Sequence, residues 1–308
     1  MLNFFLLILI YAGIYAMMAL GQNCITGYTG MLSLCHAGFF CIGSYATAIA
    51  CKVFGLSFWI SLPIAALASG LVGLLIGIPT LRLKGDYLCI ATLGLGEIIR
   101  NIAQNLNPVG YSNIPKVNLF GYVFASKNKL AFIFLIWAFV IIFYIILQRL
   151  VHSRIGRAMN AVREDEVAAA SNGINVTAYK ILSFVIGAAI GGMAGCFQTA
   201  YTLTVNAGSY TFMVSVMVLC CVVLGGMGNG KAVILGAFII QFISYFPQLT
   251  GLTNVIPPQA KQILFGLILV VMMIWRPQGL LGRDKYRYGD PRTRREKLAG
   301  FFKKGGAK

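Results

Sequence analysis

Glu164, Asp165 and Glu166 stand consecutively in a chain of 308 residues that has only eight acids. Arg154, Gly156, Arg157, Arg163 and Gly173 surround them. A short helix with both signs of charge can dock into a groove of complementary charge on another protein. Residues 156–170 are good helix formers, and Asn172 with Gly173 supplies a helix stop. The plainer reading is a solvated connector. Connectors usually run about four to six residues, and the polar stretch 149–176 is several times longer. Glu97 and Arg100 form a second group. At i,i+3 they share a helix face and can pair, either as a polar lining of a path or as an internal structural pair. Ser33 and His36 form a third. Ser33 can cap a half-helix that begins inside the membrane, and an exposed helix N-terminus can face a carboxylate. His36 can titrate or hydrogen-bond a neighbour, and a lone His is no metal site. Gly225, Gly226 and Gly228 interrupt one apolar run as Gly27 and Gly30 interrupt another. Paired interruptions point to a translocation path, with simple packing glycines as the alternative.

Other chemistries lack their residues. No G-x-x-x-x-G-K-[ST] stretch is present, so the chain carries no nucleotide site of that kind. The eight cysteines show no C-x-x-C spacing, and Cys24, Cys35, Cys41, Cys89, Cys196, Cys220 and Cys221 lie in apolar runs, where they pack as small residues. No metal and no cofactor is expected on this chain.

The elements that must hold these groups are membrane helices. The chain is 58% hydrophobic and 11% charged, against about 25% charged in soluble domains. The apolar runs do not alternate with polar residues, which excludes a barrel. The expected fold is an all-α polytopic bundle of about eight to ten spans, with broken or half helices. Spans are placed at 4–22, 38–54, 58–79, 87–107, 130–148, 177–200, 210–228, 232–249 and 260–275, and segment 23–37 reads as a half-helix or a re-entrant turn. No basic stretch precedes the first run, which reads as a retained helix. Residues 1–283 form the membrane domain, and 284–308 a basic cytosolic tail.

The net charge of +17 is read as topology rather than nucleic-acid binding. Helix counting puts the loop 149–176, the turn Leu81–Asp86, Lys180, Lys231 and the tail on one side, which collects 19 of the 25 Lys and Arg residues. That side is the cytosolic one. The tail can also lean on anionic lipid headgroups. The side of the N-terminus depends on segment 23–37.

The stretch Gly156-Arg157-Ala158-x-x-Ala161-Val162-Arg163-Glu164-Asp165-Glu166-x-Ala168-Ala169-x-x-x-Gly173-Ile174-Asn175 closely resembles the coupling loop of ATP-binding-cassette permeases for branched-chain amino acids, of the M type. Four further stretches resemble that family's motifs in order: Gly27 to Tyr45, Leu81 to Arg100, Val223 to Gly228, and Arg276 to Leu280. Where the family has a T-G-G-x-x-G run, this chain has Asn107 to Pro115. The resemblance implies an importer permease in a prokaryotic plasma (inner) membrane. It also implies a second, similar permease, two ATPase subunits that hold ATP and Mg, an extracytoplasmic solute-binding protein, and leucine, isoleucine or valine as cargo. Urea or short amides are the alternative cargo within the superfamily. An ion-driven secondary transporter would have to make a relay from Glu97 and His36 alone. A membrane enzyme would need catalytic groups that do not converge in this sequence.

Overall fold

A computed structural model describes residues 2–80, 83, 85–114, 117–119, 122–124 and 129–249, with single positions between 263 and 280. The expected span 260–275 lies largely outside the described residues, and Arg82, Lys84 and the tail 284–308 lie wholly outside them. The helices are α1 (Leu2–Asn23), α2 (His36–Lys52), α3 (Phe58–Thr80), α4 (Asp86–Leu106), α5 (Lys129–His152), α6 (Arg154–Glu164), α7 (Glu166–Ser171), α8 (Val176–Thr202), α9 (Phe212–Gly225) and α10 (Gly230–Leu249). Five described helical stretches are long and apolar enough to cross a bilayer: Phe4–Tyr28, Phe58–Thr80, Lys129–His152, Val176–Thr202 and Ala207–Gly225. α2, α4 and α10 run beside them. One small departure from an all-helical chain is a hairpin between α4 and α5, where β1 (Val117–Leu119) pairs antiparallel with β2 (Tyr122–Phe124).

α8 is the central post because its glycines let other backbones approach. A Cβ on Gly187 would lie 2.8 Å from the Gly21 carbonyl of α1, and one on Gly195 would meet the backbone of α2 at Phe40 and Ser44. Ser69, Gly73 and Gly77 of α3 descend antiparallel along Gly192, Ala188 and Phe184. Such close rows give helices van der Waals contact that lipid cannot match. The interior continues through Ile14 and Met17 of α1, Phe132 and Ile136 of α5, Phe197 of α8 and Cys221 of α9. Leu67, Leu71 and Leu75 of α3 and Phe134 and Ile141 of α5 point outward, as a surface in contact with hydrocarbon requires.

Segment 23–37 is neither a half-helix nor a hairpin re-entering the bundle. α1 continues through a π-helical turn, Cys24–Tyr28, then an irregular link reaches α2 at His36. The turn packs against α6, while Phe4 lies against Tyr245 near the far end of α10 and Tyr11 against Tyr201 near the far end of α8. The N-terminus is therefore on the side opposite the charged elbow, a point the sequence left open.

Candidate functional site: a charged elbow and a mid-depth junction

The stretch 149–176 folds as an elbow of two short helices. Ser153 caps α6 by accepting from the Gly156 N–H, 3.4 Å away. A side chain at Gly156 would overlap the carbonyls of Leu150 and Val151, so the bend out of α5 needs glycine there. Asp165 breaks α6 from α7 in extended conformation and accepts from the N–H groups of Val167 and Ala168, at 2.8 and 3.0 Å. Two orphan donors of α7 are thereby satisfied. Asn172 closes α7, and Gly173 follows in left-handed conformation, φ +77°. On this elbow Met159, Val162 and Ala169 face the bundle, while Arg154, Ile155, Arg157, Glu164 and Val167 are exposed.

Two charges of the elbow bond to the bundle, Arg163 from an exposed position and Glu166 from a half-buried one. The Arg163 guanidinium donates to the carbonyl of Gly27, at the end of the π-helical turn. Gly30, φ +74°, brings the link against the same side chain; a Cβ there would sit 3.0 Å from Arg163 Cγ. The Glu166 carboxylate pairs with Lys180 of α8 at 2.5 Å, and Lys180 is only 5% exposed. One layer deeper, the Asn23 side-chain oxygen accepts from the Gly228 N–H at 2.8 Å. A Cβ on Gly27 would lie 2.6 Å from that same nitrogen. The turn between α9 and α10 is thus tied to the end of α1. Gly279 packs its Cα side on Gly226, and the Leu280 N–H donates to the Leu224 carbonyl at 2.9 Å. Three separated glycine-containing stretches, around Gly27, Gly228 and Gly279, thus gather in one cluster beside the elbow.

The second group lies deeper. α2 and α9 both begin inside the bundle, beside α4. The Ala37 N–H donates to Ser215 of α9 at 2.8 Å, and the Leu34 N–H to Thr92 of α4 at 3.1 Å. Glu97 stands eleven residues past Asp86, about 16 Å along α4 at 1.5 Å per residue. One of its oxygens pairs with Arg100 Nε at 2.8 Å; the other accepts from the Phe212 N–H at 3.1 Å and so caps α9. A carboxylate at a helix N-terminus is favoured by the helix dipole as well as by the hydrogen bond. Leu34, Ala37, Gly96, Glu97, Tyr210 and Ser215 share a narrow recess there. The outer half of α4 leaves Asn101, Gln104 and Asn105 exposed.

Residues 4–273 match the family described as branched-chain amino acid transport system / permease component. The chain belongs to that family. It is 38% identical over 294 residues to the high-affinity branched-chain amino acid transport system permease protein LivM of Salmonella typhimurium, covering 87% of this chain and 68% of that one. The probable LivM of Methanocaldococcus jannaschii is 28% identical over 232 residues, covering 71% and 66%. The corresponding LivH protein of Salmonella typhimurium is 25% identical over 296 residues, covering 88% and 92%. No solved structure matches. The permease is a multi-pass protein of the inner membrane, a transport subunit rather than an enzyme.

The permease divides the residues singled out in its sequence into three settings. Arg154, Arg157 and Glu164 lie on the outer face of the elbow; Arg163 and Glu166 grip the bundle; Asp165, Gly156 and Gly173 shape the helix ends. Gly225, Gly226 and Gly228 are buried at the α9–α10 turn, beside the elbow rather than beside Glu97. Ser33 does not sit at the N-cap of α2, a position held by Cys35; its hydroxyl accepts from the Cys35 N–H at 3.4 Å, and its carbonyl accepts from Gln22 at 2.7 Å. His36 is fully buried against Gly21, Gly191 and the edge of Phe39, with no hydrogen bond to either ring nitrogen among the described residues. Thr92 belongs to the stretch Leu81 to Arg100 that carries the resemblance, but Asn23 and Ser215 were not singled out in the sequence. Their signal is polarity inside apolar runs, where a side-chain amide or hydroxyl must find a partner.

Proposed function

We propose that this permease subunit carries branched-chain amino acids inward, in a complex with a second homologous permease and two ATP-hydrolysing subunits, from an extracytoplasmic binding protein. The observation that carries the reading is the two-sidedness of the elbow. Its outer face offers charges of both signs with Ile155 and Val167 between them, the composition of a docking surface. Its inner face is fastened to α1 through Arg163 and to α8 through Glu166.

In this reading the ATPase grips the outer face. ATP and Mg are held by the ATPases, and hydrolysis supplies the free energy. Movement of the elbow displaces the Gly27 carbonyl and Lys180 together, and the Asn23–Gly228 bond carries the displacement to the α9–α10 turn. Because α2 and α9 both begin beside Glu97, a shift of α1 and the turn re-aims those helix starts. Inward- and outward-facing states then differ in contacts, as any driven switch requires. The exposed amides of α4, with Glu97 and Arg100, are assigned to the polar path shared with the second permease, since uncovered amides are disfavoured against lipid.

The test is uptake of labelled leucine into proteoliposomes that hold the full complex. Uptake that needs both internal-side ATP and the loaded binding protein, and that isoleucine and valine suppress, is the expected result. Accumulation driven by a proton or sodium gradient without ATP overturns the reading.

A further inference from the structure

A cavity of about 130 Å³ opens between α1, α2, α8 and the link from α8 to α9, at the end of the bundle away from the elbow. Its walls include Tyr11, Tyr15, Phe40, Gln198, Asn206 and Ser209, and among the described residues that line it none is Asp, Glu, Lys or Arg. Gln198 Oε1 is buried and meets no donor at hydrogen-bond geometry among the described residues, while the Tyr11 hydroxyl lies next to the same amide group. A buried amide oxygen without a partner is disfavoured by roughly 1–3 kcal/mol, so a ligand donor at that position is stabilising. The oxygen lies in the last turns of α8, whose C-terminal carbonyls carry partial negative charge and favour a cation. Donors stand on the opposite rim. Asn206 uses its side-chain oxygen on the Gly208 N–H at 2.8 Å, which leaves its NH₂ group for another acceptor, and the Ser209 hydroxyl is exposed beside it.

The rim is a held structure. Leu203 adopts φ +57°, a conformation uncommon for a residue with a side chain. Val205 exchanges two backbone hydrogen bonds with Tyr111, at 2.9 and 2.8 Å, and the Ile114 N–H donates to the Leu203 carbonyl at 3.2 Å. Lys52 fastens the same segment through the Ser112 carbonyl at 2.8 Å. The link is thereby fixed over the cavity by the chain that follows α4.

We propose that this cavity is a cargo subsite within the single permease chain, built for a small zwitterionic amino acid with an apolar side chain; the assignment rests on the import function proposed above. The ammonium group donates to Gln198 Oε1 at the carbonyl end of α8. The carboxylate accepts from Asn206 and Ser209, and the side chain packs on the rings of Tyr11, Tyr15 and Phe40. A side chain with its own charge finds no counter-charge here, and an unpaired charge away from water is strongly disfavoured.

The complete transporter carrying Thr204→Cys, at an exposed rim position given no bond to the cargo, is reconstituted, and the rate of maleimide labelling is measured together with leucine uptake. The expected result is that leucine slows labelling in a saturable way, that glutamate and lysine do not, and that adding Gln198→Leu raises the protecting leucine concentration at least tenfold. Thr202→Cys on the same rim serves if Thr204→Cys does not assemble. Normal leucine uptake with labelling indifferent to leucine overturns the subsite and leaves the import function standing. Slowing by the binding protein irrespective of cargo also overturns it, in favour of a protein contact at the rim. Absence of leucine uptake by the unmodified complex rejects the import function and the subsite together.

Discussion

The elbow and α4 each hold an acid–base pair, and the two pairs are wired differently. Glu97 and Arg100 belong to one turn of one helix, with side chains 30% and 23% exposed. Glu166 and Lys180 join two helices, and the Lys180 side chain is only 6% exposed. Arg163 reaches further still, to a carbonyl 136 residues earlier in the chain. A pair within a turn adds little to the relation between helices. A pair between helices fixes one against the other, and glycines at Gly27 and Gly30 remove the bulk that would keep them apart. In the proposed function the elbow transmits displacement, while the α4 pair presents charge at a fixed place.

The sharpest way to break that contrast is to cut the longest link. Arg163→Ala is expected to lower ATP-driven uptake at least tenfold while membrane insertion and co-purification with the ATPase persist, because the outer face of the elbow is untouched. Arg163→Lys should restore part of the uptake, since an ammonium can reach the Gly27 carbonyl but lacks the fork of donors. Loss of co-purification in Arg163→Ala, to the extent seen on disrupting the outer face, would place Arg163 at the partner surface and erase the difference between the two sides.

The inter-helix ion pair comes next. Glu166→Ala leaves Lys180 almost enclosed and without its carboxylate. Removing one member of a buried pair is destabilising by about 3–5 kcal/mol, and the 35% exposure of the Glu166 side chain places this case toward or below the lower end. Thermal unfolding in detergent should show a clear decrease for Glu166→Ala and substantial recovery for Glu166→Ala with Lys180→Met, which removes the stranded charge. A double variant no better than the single one would mean that the pair is not what holds α7 to α8.

The same contrast explains what was legible in the sequence. Helix positions along 58–79, 87–107 and 177–200 followed from apolar length, and α3, α4 and α8 agree to within a few residues. The elbow, its stop at Gly173 and the Glu97–Arg100 pair were legible because each is local: a cap, a spacing of three, a left-handed glycine. Long-range links were not. Nothing near Asn23 in sequence points to Gly228, and nothing near Arg163 points to Gly27. Segment 23–37 was ambiguous for the same reason. Its glycines resemble a break in a helix, yet they serve close contact with α6 and the α9–α10 turn. The cavity beside Gln198 was invisible too, since its walls come from α1, α2, α8 and α9.

The α4 pair should give the smallest effect, and the form of that effect separates its two bonds. Glu97→Gln removes the charge but keeps an oxygen able to cap α9 at the Phe212 N–H. The lost ion pair is partly exposed and within one turn, so its removal alters stability by less than about 1 kcal/mol. Glu97→Ala removes the cap as well, and a lost N-cap typically adds about 1 kcal/mol. Unfolding midpoints should therefore rank wild type close to Glu97→Gln and above Glu97→Ala. If Glu97→Gln were as unstable as Glu97→Ala, the charge rather than the cap would be holding α9 to α4. The α4 pair would then belong with the elbow as a link between helices.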